Sequence, residues 1–350
     1  MVAEIIPHVG AMHRLQLAIH GAASVDDLAR QAHSVCELMG SLLHADAGPT
    51  LVTRSLSQLN DEIAIRVLQL LQPKFRLPPA RWCWLGLGSQ GRLEQTLSTD
   101  QDNGLLFSAH DDGEAHQLRQ LFLPFAQEVN QALAQCGFSL CDGEVMAGNA
   151  RWCLSLAEWK RSFSAWIRTP EPDALLNASI FFDFRLIVGD TPLADELRRY
   201  LAQVAAGNEI FLRMMATNAL AAQPPLGRLR DFDSAEPDGR INLKKVGSRI
   251  FVDAARIFAL GAGIVETNTL DRLRRAAQER VLSDSHAAAA CGAFQALQGI
   301  RFVNQMQSAV TENLLDPDSL NDFDRKVLLE SLKQARVVQQ KLKTRFQLDG

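Results

Sequence analysis

Apolar side chains recur every three or four positions through the first 75 residues, the spacing that lets a helix bury one face. After Ser24-Val25-Asp26-Asp27, a capping-box pattern, Leu28, Ala32, Val35, Cys36 and Met39 share such a face. Leu56, Leu59, Ile63, Val67 and Leu70 repeat it, and Pro78-Pro79 ends the pattern. Trp82 to Leu87 is then a short, aromatic-rich apolar run bounded by glycine, as expected of a buried strand. The pattern predicts a second strand from Asp102 to Phe107, an amphipathic helix from His116 to Cys136, and a third strand from Phe138 to Met146. Asp173 to Val188 reads as a helix ending near Gly189. Loop residues gather at Gln223–Gly227 and Ser234–Gly239, and beyond them residues 240–345 are almost continuously helical, Ala- and Leu-rich with Arg and Lys on the other faces. The expected class is α+β: a helical segment over 1–78, a small mixed-sheet core with adjoining helices over 79–222, and a helical bundle over 223–350.

Composition narrows the function classes. Of 350 residues 47% are apolar and 22% charged, which excludes wholesale disorder. Lys and Arg number 36 against 40 Asp and Glu; the net charge of −4 argues against coating a nucleic acid. The six cysteines form no CxxC pair and the eight histidines are scattered, so no zinc spacing is present. Reduced thiols, no membrane-length apolar run and no basic-then-apolar leader in MVAEIIPHVGAMHRLQ predict a soluble, cytoplasmic protein.

Chemistry concentrates between Gly86 and Asp102, in GLGSQGRLEQTLSTDQD. Glycines after a buried strand let backbone N–H groups approach a phosphate, Ser89 adds a hydroxyl donor, and Arg92 offers a planar fork. Asp100 and Asp102 are two apart at a strand start, so both carboxylates address one face. Adjacent anions repel unless a cation lies between them, and Mg²⁺ (or Mn²⁺) held by carboxylates and substrate phosphates is the common solution. A dinucleotide fingerprint is the competing reading, but it needs an acidic residue ~20 positions on, after another strand.

A Gly-Ser pair followed by a DxD on a strand resembles the DNA polymerase β-type nucleotidyltransferase superfamily. The longer string LGLGSQGRLEQTLSTDQDNGLLF resembles a family of nucleotidyltransferases related to the PII-protein uridylyltransferases. CDGEVMAGNARWCLSLAEW, LLNASIFFDFRLIVGD and INLKKVGSRIFVDAARIFALGAGIVETNTLDRLR are similar to it too, the last to its C-terminal substrate-binding domain. The resemblance implies that Gly88 and Ser89 hold nucleotide phosphates, that Gly91 and Arg92 continue the loop, and that Asp100 and Asp102 bind divalent metal and are catalytic. A third carboxylate would come from the Phe138–Met146 strand, as Asp142 or Glu144; Asp142 departs from the Cys-Pro-Gly-like sequence usual there.

Further candidates are weighed individually. Glu94 is expected in a salt bridge with Arg92 rather than in the chemistry. Asn177, Asp183 and Arg185 are expected on one helix, bordering the cleft or merely making surface hydrogen bonds. Lys244 and Lys245 would face the nucleotide or the acceptor, or be solvated. Arg249, Asp253 and Arg256 read as an ion-pair ladder. The single His-Asp pair, His110-Asp111, reads as a turn, so the hydrolytic histidine–aspartate domain of the PII-modifying enzymes is not expected here. The implied activity is Mg²⁺-dependent transfer of a nucleoside monophosphate from an NTP to a hydroxyl acceptor, most plausibly on a protein. The alternative is an inactive or weakly active nucleotide-sensing and docking module in signalling. Extension of a nucleic-acid primer is disfavoured by the acidic balance and by a single tyrosine, Tyr200, for base stacking.

Overall fold

The break in helical spacing at Pro78-Pro79 is where the chain turns from helices to a sheet. The computed structural model describes residues 2–45, 47–227, 231–233, 238–307 and 313–348; Ser234 to Pro237 of the expected second loop lie outside them. The chain divides into two units, Met1–Ser164 with Ile180–Leu201, and Ala165–Ser179 with Ala202–Gly350.

The first unit opens with α1 (Val2–Gly21), α2 (Val25–His44) and α3 (Pro49–Leu71). The Ser24 side chain caps α2 by accepting from the Asp27 N–H, as the sequence predicts. β1 (Trp82–Gly86), the short α4 (Gly88–Arg92), β2 (Asn103–Phe107) and the long α5 (Asp112–Gln135) follow, and then β3 (Cys153–Ser155) and most of α6 (Leu156–Arg168). The chain passes through α7 (Pro172–Phe181), most of which belongs to the second unit, and returns with β4 (Arg185–Gly189) and most of α8 (Thr191–Ala206). The four strands make a mixed sheet in the order β3-β2-β1-β4. β1 is antiparallel to β2 and β4, and β2 is parallel to β3.

Alternation sorts the strand residues onto two faces. Trp82 pairs with Phe107 and both rings meet α5, Phe107 stacking on Phe122 with centroids 5.3 Å apart. Leu85, Leu105, Leu106 and Phe107 are essentially buried, which places the core on the sheet. On the other face Gly104 leaves room for Trp159, whose indole N–H donates to the Leu105 carbonyl at 3.3 Å. Trp159 neighbours Trp152 and Phe181 in an aromatic cluster.

Two expectations fail here. The third strand is not Phe138–Met146, where Ser139 alone bridges to Asp100 before the chain turns at Cys141–Glu144, with Glu144 left-handed at φ 54°. Its place in the sheet is taken by β3. The expected helix from Asp173 to Val188 stops at Phe181, and Arg185–Gly189 is a strand because Leu186, Ile187 and Val188 complete the sheet beside β1. A short apolar run reads equally as buried helix or strand.

The second unit contains α9 (Glu209–Ala219), β5 (Ile241–Asn242), a π-helical turn at Lys244–Ser248, α10 (Arg249–Gly261), α11 (Thr269–Gln278), α12 (Asp284–Gln307), β6 (Leu314–Leu315) and α13 (Asp322–Phe346). The predicted C-terminal helices are present, and β5 and β6 form a small antiparallel ribbon. Buried Arg301 on α12 is satisfied by Gln298 and Asn313, at 2.7 and 2.8 Å.

Candidate active site

Antiparallel pairing fixes where the two candidate segments meet. β1 ends at Gly86 opposite Asn103, the first residue of β2, so the loop leaving β1 and the chain entering β2 share one end of the sheet. The Leu87 N–H donates to the Asp102 carbonyl at 2.9 Å. Gly88 follows with φ +52°, and a Cβ built there would stand 2.8 Å from Asp102 Oδ2. The Asp102 carboxylate therefore lies directly over the start of the Gly-Ser loop. Gly91 is required for a different reason: a Cβ there would fall 1.7 Å from the Asp183 carbonyl oxygen and 2.9 Å from that of Gly86. Ser89 is partly exposed and its carbonyl accepts from the Glu94 N–H at 2.9 Å.

A buried amide network anchors the residue between the two aspartates and the one after them. Gln101 and Asn103 are almost fully buried, and Asn130 on α5 donates to Gln101 Oε1 at 2.8 Å and to Asn103 Oδ1 at 3.0 Å. Gln101 Nε2 in turn donates to the carbonyls of Asn130 and Phe138. On either side of Gln101, Asp100 is exposed and Asp102 is half-buried, its Oδ2 against Gly88. Two carboxylates suit a hard divalent cation that completes its shell with substrate oxygens and water.

Cys141 opens the turn that follows Ser139 and is half-buried. Burial pushes the Cys141 thiol up, and the Asp102 charge pushes the same way. Asp142 and Glu144 are exposed on the turn. Among the described residues no three His, Cys, Asp or Glu side chains gather as a metal-binding group.

Arg92 is engaged by protein rather than facing open solvent. Its Nε donates to Glu94 at 2.8 Å and its Nη1 to Asp183 at 2.7 Å, with Asp183 fully buried. The Glu94 bridge is as expected; Asp183 reaches Arg92 from a turn, not from a helix. Arg185, also expected on that helix, begins β4 and donates to Asp61 on α3 at 2.6 Å and to the Gln90 carbonyl at 3.1 Å. The Gln90 amide donates to Asp61 as well, so α3 and β4 together hold α4. Desolvation pushes the Asp61 carboxyl above its ordinary range even with Arg185 beside it.

Asn177 is half-buried on α7 in the second unit, and Lys244 and Lys245 are exposed there on the π-helical turn. The ion-pair ladder is present: Asp253 accepts from Arg249 at 3.2 Å and from buried Arg256 at 2.6 Å. Asp111 is the N-cap of α5, accepting from the Glu114 N–H at 2.8 Å, which bears out His110-Asp111 as a turn. No helix among the described residues is long and apolar enough to cross a membrane.

A glycine-serine loop leaving β1 thus lies against Asp102, the residue before the adjacent antiparallel strand, at one end of the sheet. The family described as putative nucleotidyltransferase DUF294 matches residues 33–173, which carry the loop, both aspartates and Cys141. The putative nucleotidyltransferase substrate binding domain matches residues 209–346. The chain belongs to this nucleotidyltransferase family and carries its substrate-binding domain. Comparison with curated proteins gave no match.

Proposed function

We propose that the protein transfers a nucleoside monophosphate from an NTP to a hydroxyl acceptor on a protein, in the manner of PII uridylyl transfer, using Mg²⁺ or Mn²⁺. The observation that carries the reading is Asp102 Oδ2 lying against Gly88, which puts a carboxylate where a triphosphate would enter the loop. Gly88 and Ser89 would meet phosphate oxygens with backbone N–H groups and a hydroxyl, and no side chain at Gly88 stands in the way. Asp100 and Asp102 would hold the divalent cation. When bound, that cation supplies charge neutralisation on the triphosphate and on the departing pyrophosphate. The acceptor hydroxyl gives up its proton to water as its oxygen bonds to the α-phosphorus and the bridging bond to pyrophosphate breaks. Arg92 serves the loop indirectly in this reading, because Glu94 and Asp183 tie it beneath α4.

The test is incubation of the full chain with each α-labelled NTP, Mg²⁺ and a lysate. Label should enter acid-precipitable protein with wild type and fall to background when Asp100→Asn and Asp102→Asn are combined. Absence of transfer from every NTP, or equal transfer by the double variant, would remove the enzyme reading. A second reading, a nucleotide sensor without turnover, draws on the exposed turn positions of Asp142 and Glu144, the two candidates for a third carboxylate. Its mark would be saturable metal–NTP binding by calorimetry with no release of pyrophosphate.

A further inference from the structure

Among the apolar residues that α3 buries lie Ser57, Asn60 and Asp61, whose spacing puts them on one face of the helix. Buried polar side chains cost free energy unless they are bonded, so their partners matter. All three meet the segment that follows Ser89. The Ser57 hydroxyl accepts from the Gln95 N–H at 3.1 Å, and Asn60 Nδ2 donates to Gln95 Oε1 at 3.3 Å. Asp61 accepts from Gln90 Nε2 at 3.1 Å with one carboxylate oxygen and from Arg185 Nη2 at 2.6 Å with the other. The same Arg185 nitrogen donates to the Gln90 carbonyl at 3.1 Å, so Gln90 is held by its side chain and by its backbone. Gly86 makes room for this, because a Cβ there would stand 3.0 Å from Gln90 Cγ and Cδ.

We infer that Asp61 is a positioning residue: with Arg185 it clamps Gln90, the residue after Ser89, and so fixes the Gly88-Ser89 turn in the form that receives a triphosphate. The inference rests on the proposed reading of that turn as the phosphate site. Asp61 acts through Gln90 and not on substrate. With five residues, α4 is too short to hold its shape by its own hydrogen bonds. An ion pair buried like Asp61–Arg185 is often no more stabilising than apolar side chains of the same volume, and what it adds here is orientation. Without the clamp the turn samples other arrangements, and affinity falls with the fraction that stays competent.

The test uses the full chain and two probes, with urea unfolding of every variant in parallel. Mn²⁺ alone, followed by electron paramagnetic resonance, reads the aspartates; Mn²⁺ with inorganic tripolyphosphate, followed by calorimetry, reads the turn as well. Asp61→Leu and Gln90→Met should each bind Mn²⁺–tripolyphosphate about tenfold more weakly than wild type, the size expected from losing a hydrogen bond to a charged group, yet bind Mn²⁺ alone as wild type does. Should Asp61→Leu fail to fold, Gln90→Met carries the comparison, because it keeps the length of a half-buried side chain. Wild-type tripolyphosphate affinity in Gln90→Met, or an equal loss of both probes, overturns the positioning role; if Asp102→Asn loses binding in the same series, the reading of the site survives. No tripolyphosphate binding by wild type, or equal binding by wild type and Asp102→Asn, overturns the reading of the site, and the inference with it.

Discussion

Substituting alanine at Gly91 and at Gly88 separates a glycine required by packing from one required by the site. At Gly91 the new methyl would fall 1.7 Å from the Asp183 carbonyl oxygen, 2.8 Å from its carbon and 2.9 Å from the Gly86 oxygen. Ordinary contact distances then require backbone to move by about 1.5 Å or more. Overpacking usually costs ~1–3 kcal/mol. Here the displaced residue also holds Arg92 at 2.7 Å from a fully buried carboxylate. Breaking such a pair costs roughly 3–5 kcal/mol, so a loss of about 3–5 kcal/mol is expected for Gly91→Ala. At Gly88 the neighbour is a side-chain oxygen that can swing aside, and the left-handed backbone costs an alanine only about 1–2 kcal/mol. Urea unfolding followed by tryptophan fluorescence reads the difference, since four of the five tryptophans (Trp82, Trp84, Trp152 and Trp159) lie in the first unit. Gly88→Ala should keep most of its stability yet lose Mn²⁺–NTP binding, because Asp102 has been pushed from the loop. Gly91→Ala within about 1 kcal/mol of wild type would refute the packing argument.

Further outcomes follow from other parts of the molecule. Asn130→Leu removes one donor from each of the Gln101 and Asn103 side-chain oxygens and the acceptor of the Gly148 N–H, bonds worth about 0.5–1.5 kcal/mol each, and should lower both the urea midpoint and Mn²⁺ affinity. Glu158 closes a capping box with Ser155 at the start of α6 and pairs with Arg119. Burial pushes its carboxyl up, but the hydrogen bonds from Arg119 and Ser155 win and hold it below the usual range. A depressed folded-state value means stability that is present above the ordinary glutamate range and lost as pH falls through the depressed one. Glu158→Gln should therefore be less stable than wild type at pH 7, and the gap in unfolding midpoint should close on acidification. A gap that is constant with pH would contradict this. Burial raises the Cys153 thiol to about 12 and that of Cys136 to about 11. Native protein should give one fast thiol with Ellman's reagent, the exposed Cys36, and release the buried ones only on unfolding.

What could be read from the chain depended on how local each feature's cause was. The Gly-Ser loop and the Asp100-Asp102 pair were legible because they use special residue types at short fixed spacing. The pairing of β1 with β2 then brings them together through a reversal that sequence patterns can suggest. The Glu94–Arg92 bridge was legible for the same local reason. Asp183 was not, because its meeting with Arg92 needs β4, and FFDFRLIV is an apolar stretch whose strand character comes from the sheet it joins. The Cys141–Glu144 turn was illegible in another way: only the bonds from Ser139 and Val145 to the β2 entry fix it beside the aspartate segment. The third strand was misplaced because β3 is three residues long, too short for a visible alternation.

The most direct measurement is anomalous scattering from crystals of the full chain soaked with Mn²⁺ and a non-hydrolysable NTP. The account requires a manganese peak ligated by the Asp100 and Asp102 carboxylates, with the triphosphate on the Gly88-Ser89 loop. A peak elsewhere, or a nucleotide bound away from that loop, would contradict it.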